Sequence, residues 1–221
     1  MTRVHADDVG EPNRDARVAG VLLAAGSSTR FDGRNKLLVE LGDETVVERA
    51  TRPLLDAACD LAPVVAVVGH DADRVREALS GLPVDVVHNP DHVAGQATSV
   101  RAGLAAVGDV DAVVFALGDM PAVAPRTVAT LVAAYRADVG TALAAAHGGR
   151  RGNPVLFGRE HFDELRDVAG DTGGRRILLE SDDAALVETD DPGVLVDVDA
   201  PGDLEALRDG AHLDGPGDDG S

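Results

Sequence analysis

At 221 residues the chain is long enough for one medium-sized domain with a substantial core, and it contains no internal repeat. Its 39 acidic against 20 basic residues leave a formal charge of -19, which repels nucleic acid and anionic membrane, and aromatics at 2% are too few for a base-stacking nucleic-acid module. The single cysteine, Cys59, excludes an internal disulfide and a cysteine-based metal site.

Residues 1–17 are polar and aperiodic and predict a mobile acidic arm, and the Gly/Asp-rich residues 210–221 predict a disordered tail, which leaves one domain over 18–209. Within it, strands are expected at Val18–Ala24, Val64–Val68 and Val84–His88, with helices at Thr45–Asp60, bent near Pro53, and at Ala72–Ser80. A helix over Ser99–Val107 precedes a strand at Ala112–Leu117 and a helix at Pro125–Arg136. Further strands are expected at Thr141–Ala146, Pro154–Phe157, Ala185–Val187 and Val194–Val198, and further helices at Arg159–Arg166, Gly174–Glu180 and Pro201–Leu207. Such alternation predicts an α/β fold, a three-layer Rossmann-like and mainly parallel sheet flanked by helices, whose ligands bind at the carboxyl ends of strands.

There is no apolar run near the length of a membrane span and no signal-peptide core at the N-terminus, so a cytoplasmic location is expected; a monomer is expected in preference to an oligomer. The excess of Asp over Glu and of Arg over Lys matches the solvated acidic surface of a halophilic protein, where salt screens like charges within a few Å. Cys59 lies in the apolar stretch 54–61 and reads as a structural thiol, and the seven histidines read as structural or surface residues.

Three segments carry the chemistry. The strand at Val18–Ala24 runs into the small-residue turn Ala24-Ala25-Gly26-Ser27-Ser28-Thr29, then Arg30 and Lys36, the only lysine of the chain. A backbone able to close on an anion, with cations to neutralise it, suggests a nucleoside-triphosphate loop, although neither GxGxxG nor GxxxxGK[ST] is present. Gly118-Asp119-Met120-Pro121 puts a carboxylate just past a strand end, where it suits a hard cation such as Mg²⁺ or, alternatively, caps a turn. Asp197 and Asp199 alternate with Val198, so both carboxylates share a face; Asp199 can also serve as an ordinary cap before Pro201.

Taken together, LAAGSSTR (23–30) with Lys36, GQATSVRAGL (95–104), GDMP (118–121), RRGNPVLFG (150–158) and DVDAPGDL (197–204) resemble, in this order, the MobA-like nucleotidyltransferases, above all the molybdenum cofactor cytidylyltransferases. The resemblance covers about residues 20–207 and implies a fold of the nucleotide-diphospho-sugar transferase type. The implied activity is Mg²⁺-dependent transfer of a nucleoside monophosphate from an NTP to a phosphorylated small-molecule acceptor, molybdopterin or molybdenum cofactor, with release of pyrophosphate. It assigns Leu23, Ala24, Ala25, Gly26 and Ser27 to the nucleotide loop, Arg30 and Lys36 to the triphosphate, and Gln96, Thr98 and Ser99 to the base and ribose. Asp119 becomes the principal metal ligand, completed by Asp199 and Asp197, and Arg151, Gly152, Asn153 and Pro154 form a loop facing the acceptor. Transient contact with a molybdoenzyme or its chaperone is a further implication.

Ala25 falls where cytidylyl members carry LAAG and guanylyl members LAGG, which favours CTP. The chain departs from the family pattern in a longer Arg30–Lys36 segment, in Asn153 where His is frequent, and in Ala200 where Thr would cap the last helix. The competing readings are a guanylyltransferase, a sugar- or alcohol-phosphate nucleotidyltransferase of the same fold, and a non-catalytic nucleotide- or cofactor-binding chaperone. A Rossmann oxidoreductase lacks its glycine fingerprint here.

Overall fold

A computed structural model describes residues 1–13, 15–26, 31, 34–167, 170 and 174–209. Numbered in chain order, its strands are β1 (Thr2–His5), β2 (Val18–Ala24), β3 (Glu40–Leu41), β4 (Glu44–Thr45), β5 (Leu61–Val68), β6 (Asp85–His88), β7 (Ala112–Leu117), β8 (Ala142–His147), β9 (Arg150–Gly158) and β10 (Ala184–Glu188). Its helices are α1 (Val46–Leu55), α2 (Ala72–Ala78), α3 (Gln96–Ala106), α4 (Pro125–Arg136), α5 (Phe162–Asp167), α6 (Arg175–Glu180) and α7 (Pro201–Arg208). Among the described residues all strands but β3 and β4 join one eight-stranded sheet, in the order β1-β10-β8-β9-β7-β2-β5-β6. Neighbours are parallel except where β9 runs against both β8 and β7.

The strands read as continuous apolar runs because both faces are covered. In β2, Val18, Leu22 and Ala24 join the core beneath α1, α2, α4 and α7, while Ala19 and Val21 join the core beneath α3, α5 and α6. The same two-residue alternation splits β7, with Val114 on the first face and Val113 and Phe115 on the second. The expected three-layer, mainly parallel architecture is therefore present. From β2 the sheet grows through β5 and β6 on one side and begins again with β7 on the other. That reversal opens a crevice beyond the carboxyl ends of β2 and β7.

Four expectations change. Residues 2–5, placed in an arm without regular structure, form the edge strand β1, parallel to β10 with Val4 beside Val187. A four-residue edge strand with one aliphatic side chain has no readable period, and its order comes from backbone pairing. Arg151–Pro154, expected in a loop, lie within β9. Val194–Val198, expected as a strand, does not pair: Pro192–Leu195 is a 3-10 turn started by the Asp191 side chain, which accepts from the Gly193 amide at 3.0 Å. The helix expected to reach Asp60 stops at Leu55, with Pro53 in its last turn. Cys59 is half-buried against the core, and burial pushes its thiol pKa up, as suits a packing role. Among the described residues no helix is long and apolar enough to cross a membrane.

Asp191 was not singled out in the sequence, yet it staples the start of α4 to the segment beyond β10. Only 3% exposed, it accepts from the Ala124 amide at 2.8 Å, the Thr127 hydroxyl at 2.5 Å and the Gly193 amide. Asp191→Ala should cost about 2–4 kcal/mol in urea denaturation, because it strands buried donors, whereas a loss below about 0.5 kcal/mol would show that water replaces the carboxylate.

Candidate active site

The crevice is a cavity of about 530 Å³ whose wall is the end of β2, Leu23 to Gly26, facing Leu117 and Asp119 of β7 and its turn. The two strand ends approach closely. The Gly118 amide donates to the Leu23 carbonyl at 2.9 Å, and a Cβ at position 118 would lie 3.1 Å from that of Ala24. Of the expected nucleotide loop, Leu23, Ala24, Ala25 and Gly26 line the cavity; Ser27 and Arg30 lie outside the described residues.

Lys36 enters from the opposite rim. Buried Asn35 accepts from the Leu37 amide at 3.1 Å and so starts the 3-10 turn Lys36–Leu38. The Lys36 Nζ donates to Asp119 Oδ2 at 2.7 Å and to Asp199 Oδ1 at 2.9 Å. Burial works against the ammonium, but the two carboxylates outweigh it and raise its pKa, so Lys36 is charged. Expected along a triphosphate, Lys36 in the nucleotide-free chain bridges the two carboxylates expected at a metal.

Asp199 is brought there by its own segment. The Val198 amide donates to the Asp119 carbonyl at 2.8 Å, and Val198 is fully buried between the exposed Asp197 and Asp199. Asp203 supplies the cap that Ala200 lacks, accepting from the Asp199 and Ala200 amides at 2.8 and 2.7 Å. Partial burial and then the Asp199 and Asp119 charges raise the Asp197 pKa, so the three carboxylates sense one another. Among the described residues no group of three His, Cys, Asp or Glu side chains converges closely enough to hold a metal, so the ready pair is Asp119 with Asp199, and Asp197 stands back. Two carboxylates within reach of one cation fit a hard divalent ion, which completes its shell with water and phosphate oxygens.

Gln96 and Ser99 of α3 line the cavity as expected. Thr98 is turned away: its hydroxyl donates to the Gly95 carbonyl at 2.8 Å and lies 3.1 Å from that of Asp91, and it accepts from Asn89 Nδ2 at 2.8 Å. Asn89, which also donates to Ser99 at 3.0 Å, organises this corner and escaped the sequence reading; the Asn-Pro step after β6 was its one signal. Arg151, Gly152 and Asn153 line a second cavity of about 240 Å³ that shares Leu23, Gln96 and Leu117 with the first. Pro154, expected beside them, packs on the other face near Ala50 and Met120.

The Lys36 bridge has a measurable consequence. In Lys36→Gln the two carboxylates lose their shared cation, so Mn²⁺ binding to the nucleotide-free protein should tighten by roughly tenfold in a paramagnetic-resonance titration. Unchanged Mn²⁺ affinity would show that the ammonium does not hold the metal position.

The sequence profile of the MobA-like NTP transferase domain matches residues 20–185. Nicotine blue oxidoreductase from Paenarthrobacter nicotinovorans is 32% identical over 169 residues, 73% of this chain and 81% of that protein. Molybdenum cofactor cytidylyltransferase from Escherichia coli K12 is 24% identical over 190 residues, 86% of this chain and 94% of that protein. Among solved structures, Rv0371c from Mycobacterium tuberculosis H37Rv aligns at 28% identity with a TM-score of 0.75, covering 87% of this chain and 98% of that one. The manganese complex of Rv0371c gives 29% and 0.70 with the same coverage. The chain spans only 26 to 32% of several bifunctional GlmU proteins that it also matches. Since the profile runs from β2 into β10, through both walls of the crevice, the chain belongs to the family of MobA-like NTP transferase domains.

Proposed function

We propose that the chain is a nucleotidyltransferase that moves a nucleoside monophosphate from an NTP, CTP in preference, to a phosphorylated acceptor, with molybdopterin or molybdenum cofactor as the first candidate and pyrophosphate as the second product. The observation that carries this reading is the single cation of Lys36 held between Asp119 and Asp199 where a small-residue loop leaves β2. Attack by an acceptor phosphate on an α-phosphate brings anions together, so the protein's work is positioning and charge neutralisation. No general base is needed, because the acceptor phosphate is already ionised near neutral pH. Mg²⁺, bound by Asp119 and Asp199, would supply charge stabilisation to the phosphates. The backbone of Ala24–Gly26 would follow the nucleotide, and Lys36, a compact charge on a flexible stem, would turn from the carboxylates to the phosphates. Ala25, 5% exposed at the cavity wall, would limit base size and so favour CTP. A halophilic cytoplasm suits the charge of -19.

The test is pyrophosphate release from CTP or GTP with a phosphorylated pterin, with the product identified by mass spectrometry. Asp119→Asn should lower turnover by at least about 100-fold with the fold retained, and near-normal turnover would refute its role. In competition between the two nucleotides, Ala25→Gly should shift the preference towards GTP by roughly tenfold, and a wild type without CTP preference would sink the base assignment. A second reading rests on the relative named an oxidoreductase. It predicts that the purified protein transfers a hydride from a reduced nicotinamide to an added two-electron dye acceptor, which the transferase reading does not.

A further inference from the structure

The second cavity is unlike the first in its chemistry. Its walls include Phe115 and Phe157, with ring centroids 6.3 Å apart, together with Val100, Leu165 and Leu178. Arg151 and Arg175 line it too, one from β9 and the other from the first residue of α6. Gly174 lets α6 come this close, since a Cβ there would overlap the Phe157 ring. Among the described residues Arg52, Arg76, Arg159, Arg166 and Arg176 each lie within 3.0 Å of a carboxylate, and Arg49, Arg126, Arg136 and Arg208, which make no ion pair, donate to backbone carbonyls; Arg151 and Arg175 line a cavity and make no ion pair. Both side chains line the same cavity, and partial burial and then the charge of Arg175 lower the pKa of Arg151, so the two cations sense each other there.

Register places this pair relative to the reaction. β9 pairs with β7 from Ala112 beside Gly158 to Phe115 beside Val155, and Arg151 lies further along β9, beyond this ladder on the side of the β7 carboxyl end. Leu23, Gln96 and Leu117 belong to both cavities, so ligands in the two would meet over the ends of β2 and β7.

We propose that Arg151 and Arg175 form a clamp for the acceptor's phosphate, and that the cavity behind them takes a flat, largely apolar ring system rather than a sugar. The proposal rests on the transferase reading above and narrows its acceptor. Two guanidinium forks match a phosphate better than any single cation, and like charges held together are relieved by a dianion. Besides the arginines only Gln96 and Asn153 offer side-chain partners there, so a polyhydroxylated body would leave several of its hydroxyls against Phe115, Phe157, Leu165 and Leu178, whereas an unsaturated ring buries there at less cost. In the reaction, an oxygen of the clamped phosphate forms the new bond to the α-phosphorus with its own electron pair. The bond from that phosphorus to the bridging oxygen breaks, and pyrophosphate leaves with that pair; no proton moves.

The probes are 4-methylumbelliferyl phosphate, a flat bicyclic phosphomonoester, and glucose 1-phosphate, a polyhydroxylated one, titrated calorimetrically into the full chain. The wild type should bind the first at least about tenfold more tightly than the second, and Arg175→Ala and Arg151→Ala should each weaken it by about tenfold or more while CTP affinity stays within about twofold. Both side chains are exposed, and thermal melts of the two variants verify the fold. Equal binding by wild type and Arg175→Ala, glucose 1-phosphate binding as tightly as the aromatic probe, or no aromatic-probe binding by the wild type up to about 10 mM would overturn the proposal. If arginine-dependent probe binding is found but no pyrophosphate is released from CTP or GTP with the phosphorylated pterin, the clamp stands and the transferase reading alone falls.

Discussion

The bond from the Gly118 amide to the Leu23 carbonyl ties together the two strand ends on which the site is built. Glycine suits this approach, because a Cβ at position 118 would lie 3.1 Å from that of Ala24 and 3.2 Å from the Leu23 carbonyl oxygen, tighter than ordinary contact. Once β2 and β7 meet there, the anion-type loop and the carboxylate turn leave the sheet side by side. The Val198 amide then fastens the third segment to the Asp119 carbonyl, and Asp199 follows. Three distant stretches converge through the β2–β7 ladder, extended by the Gly118 bond, and through the Val198 bond, and the charged side chains project from that frame.

That frame explains how a strongly acidic chain maintains a site for anions. Over the surface, arginines are neutralised locally, as in Arg166 with Asp163 or Arg176 with Glu164, pairs worth little in exposed positions. At the crevice Lys36 is shared between two carboxylates that suit a divalent ion, and Arg151 and Arg175 at the neighbouring cavity have no carboxylate partner among the described residues. The Lys36 side chain is 14% exposed, so its attraction to Asp119 is stronger than that of a surface pair, while the two arginines offer exposed guanidinium groups beside the same strand ends.

The structural residues around the site work by satisfying backbone groups. Asn35 starts the turn that carries Lys36, Asp203 caps the helix behind Asp199, and Asn89 fixes the corner from which Gln96 and Ser99 reach the cavity. Asp191 holds α4 to the segment preceding Val194. Asn35 and Asn89 do not line the first cavity, yet they place Lys36, Gln96 and Ser99, which do.

Local pattern was sufficient for much of this molecule. Apolar runs such as Val18–Ala24 and Ala112–Leu117 can be satisfied only in a sheet covered on both faces, and the small residues after Leu23, the lone Lys36 and the carboxylate after Gly118 identify the chemistry at strand ends. The family was legible because its motifs are contiguous and ordered along the chain. Pairing between distant segments was not legible. Whether Arg151–Pro154 lie in a loop or continue an antiparallel strand between β7 and β8, whether Val194–Val198 pairs, and whether Thr2–His5 finds an edge depend on hydrogen-bond partners 40 to 46 residues away in β7, 183 residues away in β10, or on competing turns. Likewise Lys36 meets Asp119 and Asp199 only because the ends of β2 and β7 lie together, and Arg151 and Arg175 line one cavity only because α6 packs beside Phe157 of β9. A sequence specifies which charges exist and which segments are buried, but the distance between two charges is set by the packing of every strand between them.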